Sequence, residues 1–282
     1  RRTLLDPVLV DAARRAGAEI HHGIAVLDLL WHAGTVTGVR ALDSSGRQVD
    51  LRARLVIGAD GIRSGVAERV GAAVTRRGTG AAAATYGYWT DLDIDGFVWL
   101  FRPDACSGLI PTNDGRVCVF AGGSTERVSR GGTQLIEEIV AEGAPDIAER
   151  LRAAKAPRGT RTWLGHPGFM RRPFGRGWAL VGDAGYFKDP IGAHGITDAL
   201  RDSELLARAV IDGWSDDRSL LDALAGYESE RDRISVRLFD VVDRIADHRW
   251  DDTEIAGILL ELNVAMADEI ETITRLDATP VG

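Results

Sequence analysis

The chain has little with which to build covalent or metal staples. Among its 282 residues there are two cysteines, Cys106 and Cys118. They show no CxxC spacing and no neighbouring histidine pair, so neither a disulfide framework nor a zinc site is expected, and a reducing, cytoplasmic setting fits. No stretch reaches the ~18 consecutive apolar residues of a membrane helix. The most apolar late segment, Ile255 to Ala267, is broken by Glu261 and Asn263. The opening residues, Arg1 to Pro7, are interrupted too early by Asp6 and Pro7 to form the apolar part of a secretion signal. Positive charge is also in short supply. The net charge of −8 argues against a nucleic-acid partner and gives no attraction to an anionic membrane. Internal repeats and low-complexity tracts are missing too. What is present is ordinary globular composition, 45% hydrophobic and 27% charged, enough for a sizeable core in one large domain or two.

Periodicity sorts the chain into segments. Val8, Leu9, Ala12, Ala13 and Ala16 recur at helical spacing, which predicts a helix over Pro7 to Ala16 stopped by Gly17. Strand runs follow at Ala18 to His21 and Ile24 to Trp31. Thr35 to Leu42 and Val49 to Arg54 alternate around Asp43-Ser44-Ser45-Gly46, a hairpin pattern. Leu55 to Ala59 is uniformly apolar, as in a parallel strand buried on both faces, and a helix is expected from about Ser64. The middle of the chain supplies strands in succession: Tyr86 to Thr90, Phe97 to Arg102, Ser107 to Ile110 and Arg116 to Ala121. Asp114-Gly115 reads as a hairpin turn between the last two, and the whole stretch predicts an antiparallel sheet. Helices at Thr133 to Glu142 and Ile147 to Ala154 come next. Strands return at Arg161 to Leu164 and Trp178 to Val181, and helices at Asp198 to Ile211, Leu220 to Ile245 and Glu254 to Arg275 complete the order. This predicts an α/β fold with a nucleotide-binding layer of discontinuous segments, an inserted antiparallel β-sheet domain and C-terminal helices. The expected boundaries are residues 1–75, 76–165, 166–215 and 216–282.

Two strand ends carry candidate chemistry. Leu55 to Ser64 passes through Gly58-Ala59-Asp60-Gly61, and Trp178 to Ala184 passes through Gly182-Asp183. Ligands of open α/β sheets bind at the carboxyl ends of strands. Glycine lets the backbone approach a ligand, and an aspartate accepts hydrogen bonds from its hydroxyls. After Asp183, Pro190-Ile191-Gly192-Ala193-His194-Gly195-Ile196 leads into the Asp198 helix, whose first N–H groups suit an anion or a polarised carbonyl. His194 has no carboxylate partner in the nearby sequence, so no catalytic role is assigned to it. Lys188 and Asp189 stand open between substrate contacts and a solvated loop. Tyr86 with Tyr88, and Trp99 with Phe101, fall on alternate positions, so each pair shares one face of its strand. An aromatic face of this kind serves an apolar substrate pocket or ordinary core.

In order and separation these motifs resemble the flavoprotein monooxygenases of the p-hydroxybenzoate hydroxylase type, whose relatives include prenyl reductases and flavin-dependent halogenases. Leu55 to Ser64 is similar to that family's DG motif, which implies that Asp60 and Gly61 lie at cofactor pyrophosphate. Gly182-Asp183 is similar to its GD motif, whose aspartate meets the ribityl chain of FAD. Pro190, Gly192, Ala193, His194, Gly195 and Ile196 resemble the loop that passes the flavin ring. Arg2 resembles the arginine of an R-x-x-L helix that reaches the cofactor, and the strand containing Val26 one whose backbone meets the adenine. Asp202 to Ala207 is similar to the D-A-x-x-L-A helix that follows the loop. The resemblance covers most of residues 1–215. It implies an FAD-binding layer, an inserted sheet domain with a substrate pocket at Tyr86, Tyr88, Trp99 and Phe101, and no metal. The implied activity is NAD(P)H-dependent monooxygenation of a small organic or aromatic substrate. A flavin-dependent dehydrogenase or reductase without oxygen transfer is the alternative. Catalytic side chains and oligomeric state are left unassigned.

The sequence also departs from the family pattern. It contains no G-x-G-x-x-G fingerprint; Gly58, Gly61 and Gly65 have the wrong spacing. The family opens with a βαβ unit that cradles the pyrophosphate on a helix N-terminus. This sequence starts without methionine where that unit would already have passed, so a truncated fragment that does not hold FAD is a third reading. Ala193 stands for a glycine of the flavin loop and Ala67 for an arginine of the DG motif. Tyr186-Phe187-Lys188-Asp189 replaces the histidine that often follows the GD motif. No W-x-W-x-x-I-P motif occurs, which counts against a halogenase.

Overall fold

A computed structural model describes residues 1–277. Helix α1 (Arg2–Arg15) begins before Pro7 and carries the proline inside it. Only the Thr3 carbonyl loses its helical partner to Pro7, and that turn is exposed. The strand expected at Ala18 to His21 does not form. The end of α1 closes on itself, with the Ala18 N–H donating to the Ala13 carbonyl at 3.0 Å and Gly17 to Arg14 at 3.0 Å. β1 (Ala25–His32) pairs with β2 (Thr35–Leu42) and extends the expected hairpin of β2 and β3 (Gln48–Arg52) into an antiparallel meander. Asp43 fixes the turn between β2 and β3 by accepting from the Ser45 and Arg47 N–H groups, each at 2.9 Å.

β4 (Val56–Gly58) leads to the short helix α2 (Gly65–Arg69), and β5 (Val74–Arg77) follows. Next come β6 (Ala83–Trp89), β7 (Val98–Arg102), β8 (Ala105–Pro111) and β9 (Val117–Gly123), then the helices α3 (Thr125–Val128), α4 (Gly132–Gly143) and α5 (Pro145–Ala153), then β10 (Arg161–Trp163). These strands make one antiparallel five-stranded sheet in the order β10-β6-β9-β8-β7. The period of two separates its faces. Trp89, Val98, Leu100, Leu109, Val117, Val119 and Ala121 pack on one side against Leu135, Ile136, Ile139 and Val140 of α4. Those four residues share one helical face, which is why α4 lies flat on the sheet. The alternate residues, Tyr86, Trp99, Cys106, Ile110, Cys118 and Phe120, line the opposite side.

β11 (Phe169–Arg171), β12 (Phe174–Gly175), β13 (Trp178–Leu180) and β14 (Tyr186–Phe187) are short, and β5, β11 and β14 form a small sheet of their own. β13 pairs in parallel with β4, Ala179 against Ile57, so the two motif-bearing strands are neighbours and their carboxyl ends emerge together. The expectation that β4 is covered on both faces fails at Ile57, which is 48% exposed; Val56 alone turns its side chain into the core with Trp178 and Leu180. Three long helices end the described chain: α6 (Gly195–Gly213), α7 (Asp217–Ala246) and α8 (Asp252–Asp277). Leu205 and Leu206 of α6 meet Leu224 and Tyr227 of α7 over Phe174 and Ala179. The Tyr227 hydroxyl donates to the Leu180 carbonyl at 2.9 Å, tying α7 to β13. Ile255, Ile258 and Ala265 of α8 pack on Val241 and Ile245 of α7. Among the described residues no helix is long and apolar enough to cross a membrane.

Candidate functional site

β4 and β13 deliver Asp60 and Asp183 to the same edge, but the two carboxylates are differently engaged. Asp60 accepts from the Ser64 hydroxyl at 2.5 Å and from the Val66 N–H at 3.1 Å. Ser64 in turn accepts from the Ala67 N–H at 2.9 Å, so both residues cap α2. Asp183 sits in a single 3₁₀ turn, Gly182–Ala184. Among the described residues no donor reaches its carboxylate. Burial pushes its carboxyl up from the ordinary range, while the charges of Lys188 and Arg2 pull the other way.

Both aspartates border a cleft of about 770 Å³. Arg2, Gly61, Gly182, Lys188, Pro190, Ala193, His194, Gly195 and Ile196 line it with them. Because α6 begins at Gly195, its first N–H groups have no partner within the helix, and they stand at this cleft. Ala193 has φ +50°, the left-handed conformation that glycine takes freely and alanine takes at a cost of about 1 kcal/mol. Two of the expected residues fall outside the cleft. Val26 lies in β1 paired with Ala41, its side chain half out in solvent. Gly192 is packed under the loop, where a Cβ would stand 2.8 Å from Val242 of α7, so its role is to let the loop rest on that helix.

Under the cleft lies a buried charge cluster. The Lys188 ammonium contacts the Asp198 carboxylate. Arg201 donates to Asp198 at 3.1 Å, to Asp202 at 2.7 Å and to the Ser235 hydroxyl at 2.9 Å, and it also contacts Glu269. His194 Nε2 lies 2.6 Å from Glu269 Oε2, off the line of a well-directed hydrogen bond. Burial, and then the neighbouring Arg201 charge, push Lys188 down to about 7. His194 thus does have a carboxylate partner, supplied from α8. Asp198, Arg201 and Glu269 were not singled out from the sequence. A signal existed for the first two: with Asp202 they continue the stripe of Leu205 and Leu206 on α6, so charged residues sit on a buried face. Glu269 has no local signal, being 68 residues beyond Arg201.

A second cavity, about 370 Å³, adjoins the cleft and shares Pro190 and Ala193 with it. Tyr86, Trp99, Phe120 and Trp163 wall it, and among the described residues no Lys, Arg or His lines it. Trp99 meets Phe120 edge-on with ring centroids 5.4 Å apart. The sequence permits this through Gly108, which the sheet register places between them; a Cβ there would stand 2.3 Å from the Phe120 ring. Burial pushes the thiols of Cys106 and Cys118 up, to about 12 and about 11, so both are unreactive lining. Asp189 accepts from the Ala82 N–H at 2.8 Å and the Ile191 N–H at 2.9 Å, and burial pushes its carboxyl up to about 6. Tyr88 and Phe101 are not on this wall. Tyr88 lies beneath the Arg1 guanidinium, 5.8 Å from its ring, and Phe101 packs on Trp250 at 6.1 Å, in the contact with the C-terminal helices.

A family profile described as an FAD binding domain matches residues 2–242. The chain is 29% identical over 236 residues to a digeranylgeranylglycerophospholipid reductase of Methanothrix thermoacetophila, covering 80% of this chain and 58% of that one. It is 28% identical over 245 residues to a putative polyketide hydroxylase of Streptomyces halstedii, covering 80% and 42%. The chain therefore spans about half the length of these curated relatives. Among solved structures, PqsL, a probable FAD-dependent monooxygenase from Pseudomonas aeruginosa, superposes with a TM-score of 0.72 at 22% identity, covering 90% of this chain and 71% of that one. At that identity the likeness speaks for the fold.

Proposed function

The chain belongs to the FAD-binding domain family, and from that premise we propose that it carries the flavin and substrate sites of an NAD(P)H-dependent monooxygenase acting on a small, uncharged, largely apolar molecule. The observation that carries this reading is the junction of the two cavities at Pro190 and Ala193, which sets a polar cleft beside an aromatic one. The cleft's groups fit FAD. The free N–H groups at the start of α6 suit a polarised carbonyl or an anion, and the unengaged Asp183 carboxylate suits a hydroxyl-bearing chain. When bound, FAD supplies the redox chemistry, taking a hydride from NAD(P)H and activating oxygen.

The chain's own residues bind, orient and exclude water. Asp183 accepts from the ligand, and the α6 N-terminus fixes its register. Tyr86, Trp99, Phe120 and Trp163 keep the neighbouring cavity dry. Among the described residues no cation faces that cavity, so a carboxylate placed there would lose its hydration without a partner, at a cost of about 2 kcal/mol or more. An uncharged substrate follows. The two free thiols, Cys106 buried and Cys118 partly so, accord with a reducing, cytoplasmic setting. No side chain is assigned as acid or base.

A reductase reading keeps the same sites. The Methanothrix relative is named a reductase, and an apolar cavity accepts an alkene as readily as an arene. The test begins with the visible spectrum of the purified chain mixed with FAD and desalted. Retained flavin bands are expected, and a colourless product sinks the flavin reading for this chain. With flavin retained, turnover of the purified chain with NADPH under ¹⁸O₂, on 2-naphthol and on an apolar alkene, separates the two enzymes. Label in the product is expected; a hydrogenated product without label establishes the reductase.

A further inference from the structure

We propose that Glu269, on α8, is a positioning residue for the cleft: by holding His194 and Arg201 it fixes the backbone from Lys188 to Ile196 in the conformation that presents the first N–H groups of α6. The proposal deepens the flavin reading of the cleft and rests on it. Glu269 is fully buried, and its two oxygens serve different groups, one Arg201 and the other His194. Arg201 is the hub. It joins Asp198 and Asp202 of its own helix to Ser235 of α7 and Glu269 of α8. Asp198 passes the connection on to Lys188. The loop is therefore fastened at its start through Lys188 and at its end through His194, and both fastenings lead to one guanidinium.

Between them, Asp189 holds the middle by accepting from the Ile191 and Ala82 N–H groups. The segment so held contains Ala193 at φ +50°. A residue in that region persists only where its surroundings over-determine it. The fastenings supply that determination. Burial alone would push the Glu269 carboxyl up, but the contact with His194 and the charges of Arg201 and His194 hold it below the ordinary range, so it is an anion at neutral pH. A buried anion is retained only when paired, so the loop and α8 stabilise one another. The family match ends at residue 242, before α8 begins, so the clamp comes from outside the matched stretch.

The test compares wild type with Glu269→Gln by hydrogen exchange of the peptide covering residues 190–197, in the absence of flavin, and by fluorescence titration with FAD. Leu151→Ala serves as a control, since it loosens the sheet domain's own core, which shares no residue with the loop, α8 or the charge cluster. Glu269→Gln is expected to speed exchange of the loop amides and to raise the Kd for FAD about 10-fold, a coupling of ordinary size for residues in one network. Leu151→Ala is expected to lower Tm while leaving both readouts at the wild-type value. Loop exchange and Kd within about two-fold of wild type in Glu269→Gln, or an equal change in Leu151→Ala, overturns the proposal. Should Glu269→Gln not fold, His194→Gln breaks the same contact from the cleft side and is read by loop exchange alone, since His194 also lines the cleft. A wild-type chain that binds no FAD sinks the flavin reading, while the exchange comparison still decides the clamp.

Discussion

Asp60 and Asp183 each stand beside a glycine at a strand end, and their hydrogen bonds divide their work. Asp60 spends both oxygens on α2, through Ser64 and Val66. Asp183 keeps its oxygens for the cleft. Asparagine at 183 retains the volume but loses the charge and half of the acceptor capacity. Asp183→Asn is expected to raise the Kd for FAD by about 10-fold or more, as for a hydrogen bond to a charged group, with the Tm of the flavin-free chain unchanged or raised because a half-buried carboxylate without a partner is gone. Fluorescence titration and a thermal melt read the two effects. Ser64→Ala acts the other way. It removes the cap of α2 and one partner of Asp60, for a loss of about 1 kcal/mol in stability. Chemical denaturation measures it, and an unchanged midpoint would show that Asp60 holds the turn unaided.

Elements with one buried face were legible because alternation records that face. β2, β6 and β9 follow from it, as does α4 from its apolar stripe, whereas β3, almost wholly exposed, was legible from the Asp43 to Gly46 turn instead. β11, β12 and β14, at two or three residues each, are too short to carry a period. Sequence adjacency also explains the site. The glycine–aspartate turns and the loop to Ile196 are local patterns, whereas Glu269 reaches His194 only through the packing of α8 on α7. Of the aromatic residues, Tyr86 and Trp99 stay on the cavity while Tyr88 and Phe101 are drawn off by Arg1 and Trp250, partners the strand pattern does not record. Phe120 entered the wall because Gly108 leaves room for its ring. Gly108→Ala places a methyl against that ring, and overpacking of this kind costs about 1–3 kcal/mol. The ring has the cavity to move into, so the variant is expected to fold and to lose binding of 2-naphthol, read by quenching of tryptophan fluorescence. Wild type is expected to bind 2-naphthol more tightly than 2-naphthoate, since no cation lines the wall. Equal binding of the two would contradict an uncharged substrate.

At the scale of the whole molecule, the loop beside the cleft contributes two groups to how stability responds to pH. Two buried groups beside the shared loop titrate near neutrality from opposite directions. Asp189 is pushed up to about 6 by burial, from an unfolded value of 3.8. Its folded carboxyl holds a proton more tightly than the unfolded one, so the stability it contributes is full below about pH 4 and is lost as pH rises through about 6. Lys188 is pushed down to about 7, from 10.5 unfolded. Its folded ammonium releases a proton more readily than the unfolded one, so its destabilisation is full below about pH 7 and is relieved as pH rises toward 10.5. Both penalties are therefore in force together between about pH 6 and 7, and the pair contributes least to stability there. The net charge of −8 adds a repulsion that changes smoothly with pH, so comparison with variants isolates the local groups. Urea unfolding from pH 4 to 9.5 is the measurement. Asp189→Asn is expected to flatten the fall between about pH 4 and 6, whatever its effect on the overall level, because asparagine leaves one of the two N–H donors unpaired. Lys188→Met combined with Asp198→Asn removes the buried ion pair together, keeps an acceptor for Arg201, and is expected to flatten the rise above about pH 7. A variant curve parallel to wild type in its own window would show that the corresponding group does not titrate within the fold, and that the charge at the cleft is constant where an oxidoreductase would use it.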